Sequence, residues 1–217
     1  VLYLAAYGYK DAWRGAVAFK STDGTEYFDI SVLTSAPTWG RLTTALTATP
    51  GWGAWDRFRT FTVRMGNGTL SSATESQLLN NSTNAALVKS GDNWELLQFA
   101  DVTDNGDGTY TCETLIRGRR GTNTFQAHEV GDLFILLDED TLRRYVGEND
   151  NIGNIQYYKG VSIGSIIEQV PAITETLTAN SLKPWSPADV RGSRDGSNNL
   201  TITWERRTRY SGPLLDG

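Results

Sequence analysis

The feature that most constrains this chain is a repeated alternation of apolar and polar residues in short segments that end at glycine-containing turns. In one such segment, Phe61, Val63 and Met65 occupy every second position. Successive side chains of a β-strand point to opposite faces of a sheet, so these three residues share one face. Asn67-Gly68 follows directly and is typical of a tight turn. The pattern predicts antiparallel strands joined by short turns.

A β-hairpin is predicted near the start of the chain. Two strand-like segments, Ala16–Lys20 and Glu26–Leu33, flank the dipeptide Asp23-Gly24. Glycine adopts the positive φ angles that a tight hairpin turn needs, and Asp is a common residue beside it. We therefore expect the two segments to pair with each other.

The acidic, glycine-rich stretch Asp104–Thr109 allows two interpretations. A calcium loop of the EF-hand type needs a carboxylate at its twelfth position, which here is Leu115. We interpret the stretch as a turn that leads into the strand Tyr110–Arg117, where Cys112 is expected to be a small buried side chain. Downstream, Asp132–Leu137 is mostly a continuous apolar run and is expected to be the most buried strand.

One short helix interrupts the strand pattern. Ser72 and Glu75 have the spacing of a capping box, which predicts a helix over about Glu75–Asn80. The remaining segments, with 22 glycines and seven tryptophans, fit strands and short turns. We therefore predict an all-β fold, an antiparallel β-sandwich or barrel-like domain over residues 1–184, either as one body or as two packed lobes.

The C-terminal residues 185–217 are predicted to be a linker followed by the first strands of a second domain. Lys183–Pro187 contains two prolines, which bar regular structure. Beyond Val190, the turn Asp195-Gly196 precedes an alternating segment that ends at Trp204. This order resembles the first two strands of a fibronectin type III domain. Such a sandwich needs about 90–100 residues to close, so we expect a truncated domain.

Composition excludes several classes of protein. A net charge of -5 argues against a nucleic-acid binder, whose affinity depends on neutralising phosphates. One cysteine permits no internal disulfide and no cysteine-based zinc cage. No apolar window is long enough to span a membrane. The sequence opens at Val1 without a Met and without a charged-then-apolar segment, so we expect no secretory signal and expect the start to be a cut within a longer protein.

Residues that could support catalysis are sparse. His128 is the only histidine, and no nucleophile elbow accompanies it. The acids of the run Asp138–Asp140 are contiguous, so they cannot flank a cleft as a glycosidase pair does. We expect His128 to be a loop or core residue. We expect no enzyme activity, no metal and no cofactor.

Two groups of residues are candidates for a binding surface. Arg117, Arg119 and Arg120 could hold an anion, because guanidinium groups match carboxylate or phosphate. Alternatively, they pair with the acids of Asp138–Asp140. A second group consists of tryptophans in loop-like, glycine-rich surroundings, which either stack on sugars or lie in the core. These tryptophans are Trp13, Trp39, Trp52 and Trp55.

Five motifs occur in a fixed order: RGRRGT, LLDEDTLRR, YYKGVSIG, LKPWSP and LTITWERRTR. Together they resemble the C-terminal part of the tail-tip hub protein of tailed phages and gene transfer agents, also called the host-specificity or megatron protein. The resemblance extends from about Ala12 to the C-terminus and leaves phage or transfer-agent origin open.

The resemblance implies a structural module in a virion tail tip that is made in the bacterial cytoplasm. It implies that fibre and hub subunits are its partners, and that β domains surround a trimeric tip. The alternative is a carbohydrate-binding module that recognises glycans of the host envelope.

Overall fold

The computed structural model describes residues 2–8, 13–48, 55–122, 127–138, 140–146, 151–178 and 188–205. The chain divides into two compact units, residues 1–178 and residues 179–217. Both are built from antiparallel strands, which confirms the predicted all-β class. The division predicted at residues 184 and 185 lies within a stretch outside the described residues.

The strands are β1 (Leu2–Leu4), β2 (Ala16–Ser21), β3 (Phe28–Leu33), β4 (Trp39–Leu42), β5 (Trp55–Asp56), β6 (Phe61–Asn67), β7 (Ala85–Ser90), β8 (Asn93–Asp104), β9 (Thr109–Ile116), β10 (Leu133–Leu136), β11 (Arg143–Tyr145), β12 (Ile155–Ser162), β13 (Ile173–Thr176), β14 (Ala188–Arg194) and β15 (Leu200–Glu205). Helix α1 spans Glu75–Asn80.

A closed six-stranded barrel forms the centre of the first unit. Its strand order is β9-β6-β4-β10-β7-β8, and the pairing of β8 with β9 closes the ring. The short strand β5 pairs with the end of β9, beyond the residues of β9 that pair with β6. Phe61, Phe99 and Phe134 meet inside, with ring centroids 6.0 to 6.2 Å apart. Closure leaves the barrel strands without exposed edges, and the alternating side chains fill its interior.

The most buried strand is β8, not the predicted segment Asp132–Leu137. Residues 95–100 of β8 are all buried, whereas β10 buries only Phe134 fully. Helix α1 is the reason, because it covers the outer face of β8. Leu78 of the helix clusters with Ala100 and Ile116 outside the barrel. One face of β8 therefore lies in the barrel core and the other lies under the helix.

Helix α1 has the predicted bounds but a different cap from the one predicted. Thr74 and Gln77 form the capping box: the Gln77 amide donates to Thr74 Oγ1 at 3.3 Å, and the Thr74 amide donates to Gln77 Oε1 at 2.8 Å. Ser72 instead accepts from the Val102 amide at 2.9 Å. Glu75 is the first helical residue, so its carboxylate cannot reach back and binds Arg57 at 2.6 Å.

A separate four-stranded sheet has the strand order β13-β12-β2-β3. Strands β2 and β3 precede the barrel strands in the chain, and β12 and β13 follow them. The predicted hairpin is confirmed, since β2 pairs with β3 across the turn that contains Asp23 and Gly24. Gly24 has a φ of +80°, the conformation that favours glycine. The Asp23 carboxylate accepts from the Thr25 amide at 2.8 Å and holds the turn. A further pair, β1 with β11, completes the first unit.

The described part of the second unit is one hairpin. Strand β14 pairs with β15 around Asp195, which confirms the strand pair predicted beyond Val190. Leu200, Ile202 and Trp204 share one face of β15 and are 53%, 52% and 59% exposed. The predicted linker Lys183–Pro187 lies outside the described residues.

Candidate functional site

A buried group of charged side chains joins the start of β8 to the end of β9. Arg117 donates to both oxygens of Glu95, from Nε to Oε1 at 2.6 Å and from Nη2 to Oε2 at 2.7 Å. The Gly118 amide donates to Oε1 at 2.9 Å, and Arg117 Nη1 donates to the Thr47 carbonyl at 3.2 Å. The Glu95 and Arg117 side chains are 0% and 1% exposed.

His128 completes this group. Its Nε2 lies 2.7 Å from Glu95 Oε2, and its Nδ1 lies 3.3 Å from the Lys89 carbonyl and 3.8 Å from Asp132 Oδ2. Glu95 Oε2 and the Lys89 carbonyl oxygen lie within hydrogen-bond distance of the ring, whereas Asp132 Oδ2 lies beyond it. The ring is fully buried, which confirms the expectation of a core histidine.

The strand periodicity explains why these charges meet inside the protein. Glu95 lies two positions before Leu97 and four before Phe99, both of which face the barrel core. Residues at alternate positions share a face, so Glu95 points the same way at the end of the barrel. His128 reaches that end because its backbone pairs with Leu46 in an isolated β-bridge. The group therefore ties β8, β9 and two loop segments together.

Glu95 is ionised in this setting. Burial by itself raises the pKa of the Glu95 carboxyl, but hydrogen bonds from His128 and Arg117, together with their charges, outweigh burial and lower that pKa. A buried carboxylate that accepts several hydrogen bonds is held in its charged form. Since both oxygens are occupied and the side chain is buried, the arrangement suits structural support. The absence of catalysis stays a prediction.

The acids of Asp138–Asp140 were one of two alternatives for the arginine run, and the described charged partner of Arg117 is Glu95 instead. Asp138 accepts from the Asp140 amide at 3.0 Å, and Glu139 lies outside the described residues. Glu95 was not among the sequence-predicted residues. One signal could have revealed it: a lone acid within the apolar stretch of β8, which a buried cation must neutralise. Its partners lie 22 and 33 residues away, where no local pattern connects them.

Arg119 and Arg120 do not belong to the buried group that contains Arg117. They occupy a short 3-10 turn, Arg119–Gly121, in which Arg120 has a φ of +53°. Arg120 donates from Nη1 to the Tyr3 hydroxyl at 2.7 Å and from Nη2 to Ser82 Oγ at 3.1 Å. Burial lowers the pKa of the Arg119 guanidinium, and the nearby charge of Arg120 lowers it further. The structure thus places one arginine of the run inside and two outside.

The described tryptophans of the predicted binding surface are only partly exposed. Trp39 makes an edge contact with Tyr7 at 5.0 Å between ring centroids, and Arg57 stacks over Trp55 at 5.3 Å. A Cβ on Gly8 would lie 2.0 Å from the Trp13 ring, so backbone covers that ring. Trp55 also packs on the cluster of Leu78, Ala100 and Ile116. Trp52 lies outside the described residues.

Within the described residues, none of the helices is long and apolar enough to cross a membrane. No group of three or more His, Cys, Asp or Glu side chains in this part of the chain could hold a metal ion.

Residues 37–135 match the family model described as Rcc01698-like, C-terminal. The match begins just before β4 and ends within β10, so it contains the barrel strands and helix α1. Glu95, Arg117, Arg119, Arg120 and His128 all lie inside it. A comparison with curated proteins gives no match. In this region the chain is therefore similar to that family, and the region corresponds to the closed barrel with helix α1.

Proposed function

We propose that this chain is a structural module of a phage-like tail tip or baseplate hub, which attaches fibres or contacts the host surface. The observation that carries the proposal is the coincidence of the family match, residues 37–135, with the closed barrel. The family name hints at a gene transfer agent protein. The five ordered motifs support the same assignment and extend it beyond the matched region.

The construction of the barrel suits this role. A closed ring of strands has no free edges, and the buried Glu95 group locks its end with charge-assisted hydrogen bonds, which are stronger than neutral ones. A rigid body of this kind transmits force and positions partners without changing shape. In the proposed particle, copies of the module surround a trimeric tip and present their outer surfaces to fibre subunits.

The glycan-binding alternative has less support. Sugar platforms need a ring face that is open to the ligand. Trp13, Trp39 and Trp55 are each partly buried against neighbouring groups. The alternative therefore becomes an outcome of the test below.

Biolayer interferometry against purified fibre and hub subunits from the same particle tests the proposal. The immobilised chain should bind at least one subunit saturably and should bind no glycan on an array of host envelope sugars. An unrelated β-barrel protein of similar net charge controls for nonspecific contacts. Binding to glycans with no binding to any particle subunit would replace this function with the carbohydrate-binding one.

A further inference from the structure

Arg119 carries a charge that none of the described side chains neutralises. Its guanidinium is partly buried, yet within the described residues it makes no hydrogen bond and no ion pair. Charged side chains that lose water are normally paired, because desolvation of an isolated charge is costly. The pKa of Arg119 is lowered by burial and by Arg120, as expected for a cation without a counter-ion.

Among the described residues, the groups that hold the Arg120 side chain are neutral. Its two described partners are the Tyr3 hydroxyl and the Ser82 hydroxyl, neither of which offsets its charge. The positive φ of Arg120 is unfavourable for a side chain of this kind, and such backbone strain persists only where the surroundings enforce it. The fold therefore holds two consecutive arginines in one short turn, near enough for the charge of Arg120 to lower the pKa of Arg119.

Arg144 is a third cation near the Arg120 side chain, to which Tyr3 connects it. Tyr3 of β1 is paired directly with Arg144 of β11. Directly opposed residues in an antiparallel pair place their side chains on one face, close to each other. Arg144 is exposed and forms no ion pair within the described part of the chain. Tyr3 thus has Arg120 at its hydroxyl and Arg144 across the strand pair.

We propose that Arg119 and Arg120 form a binding site for carboxylate side chains of a partner protein, with Arg144 at its border. Guanidinium groups bind carboxylates through two parallel hydrogen bonds, and a bound carboxylate would neutralise the charge that Arg119 leaves uncompensated. The site goes beyond the proposed function because it would recognise an acidic protein segment in any particle.

The charge of the whole chain favours a compact acidic group over a long polyanion. A net charge of -5 repels an extended chain of phosphates or uronic acids, whose affinity depends on many cationic contacts. Two adjacent guanidinium groups match one or two carboxylates, which a short acidic segment of a protein supplies. Specificity would come from the hydroxyl groups of Tyr3 and Ser82 at the edge of the site.

Nuclear magnetic resonance of the arginine Nε–Hε groups tests this site in the whole chain. The probe is acetyl-Glu-Glu-amide, and its neutral match is acetyl-Gln-Gln-amide. The acidic peptide should shift the Arg119 and Arg120 signals saturably, whereas the neutral peptide should not. Removal of one charge-assisted contact in Arg119→Gln should weaken binding roughly tenfold.

Control variants separate binding from folding. Arg41→Gln removes the same charge from an exposed arginine of β4, whose Nη1 donates to the Gly131 carbonyl, and it should leave peptide affinity unchanged. Arg119→Lys keeps the positive charge but loses the two parallel N–H donors of the guanidinium, so it should bind more weakly than the unmodified protein. Two results would overturn the proposal: equal binding by Arg119→Gln and the unmodified protein, or tighter binding of tetragalacturonate or inorganic phosphate than of the acidic peptide.

Discussion

Glu95 and Arg117 face each other in the interior as a two-point ion pair, with nitrogen–oxygen distances of 2.6 and 2.7 Å and no more than 1% of either side chain exposed. The pair connects the first residues of β8 to the residue that follows β9. His128 adds a third partner to the same carboxylate at 2.7 Å. Because the buried Arg117 guanidinium and the His128 ring both contact this one buried carboxylate, loss of the carboxylate leaves two buried polar groups without that partner.

Substitution of Glu95 by Gln should strongly destabilise the first unit. The change removes the carboxylate that is paired with the buried Arg117 guanidinium, and breaking a buried ion pair in this way costs about 3–5 kcal/mol. Urea unfolding followed by tryptophan fluorescence measures the loss. Glu75→Gln is the control, since it removes the same charge from an exposed pair with Arg57 and should leave the urea midpoint nearly unchanged. Equal effects of the two substitutions would contradict a structural role for Glu95.

The contribution of Glu95 should depend on pH in one direction. Its folded-state pKa lies below the ordinary value of 4.5, so the folded protein releases this proton more readily than the unfolded chain. The stabilisation is therefore fully present above the unfolded-state value and is lost as the pH falls through the lower folded-state value. The difference in unfolding free energy between the unmodified protein and Glu95→Gln should be constant near neutral pH and shrink in acid. A difference in unfolding free energy that grows in acid would contradict a lowered pKa of Glu95 in the folded protein.

Cys112 should be unreactive in the folded protein. Its side chain is fully buried in the barrel core, and burial, followed by the nearby charge of Glu113, raises the pKa of the thiol well above its usual range. Thiol reagents attack the thiolate, which this environment suppresses. A disulfide-exchange reagent should label no thiol under native conditions and one thiol in denaturant. Fast native labelling would show that the barrel opens or that Cys112 lies elsewhere.

Trp204 should contribute little to stability in this chain. It is 59% exposed on the apolar face of β15, whereas truncation of a buried aromatic residue costs about 3–5 kcal/mol. Trp204→Ala should therefore cost clearly less than that. Trp55→Ala is the comparison, because Trp55 packs on the cluster beneath helix α1 and should cost more. A full core-sized loss for Trp204 in calorimetry would mean that its face is covered in solution.

Local features of the fold were predictable, and non-local ones were not. The hairpin at Asp23-Gly24 and the bounds of α1 follow from residues a few positions apart. Even there, the predicted N-cap was Ser72, whereas Thr74 caps the helix. Each is followed three positions later by Glu or Gln, so the capping-box spacing alone does not distinguish them. Closure of the barrel depends on the pairing of β10 with β4 and β7 and of β6 with β9, which joins segments that are distant in the sequence.

In the candidate site, too, local features were predictable from the sequence and long-range contacts were not. The sequence drew attention to the arginine run and to His128, but it could not assign them different roles. Arg117 is internal because it follows β9 in register with the barrel interior, while the left-handed turn at Gly118 directs the chain away from it. Glu95 is visible in the sequence as a lone acid in an apolar stretch, but its partners Arg117 and His128 are identified only once the distant segments are placed side by side.

Immunoelectron microscopy of purified particles tests the central claim most directly. Antibody fragments raised against residues 37–135 of the folded chain should decorate the distal tip of the tail, near the points where fibres attach. Particles from cells that lack the gene provide the control and should remain unlabelled. Labelling confined to the capsid or to the tail tube, or particles that carry none of this protein while assembling normally, would contradict the assignment to the tail tip.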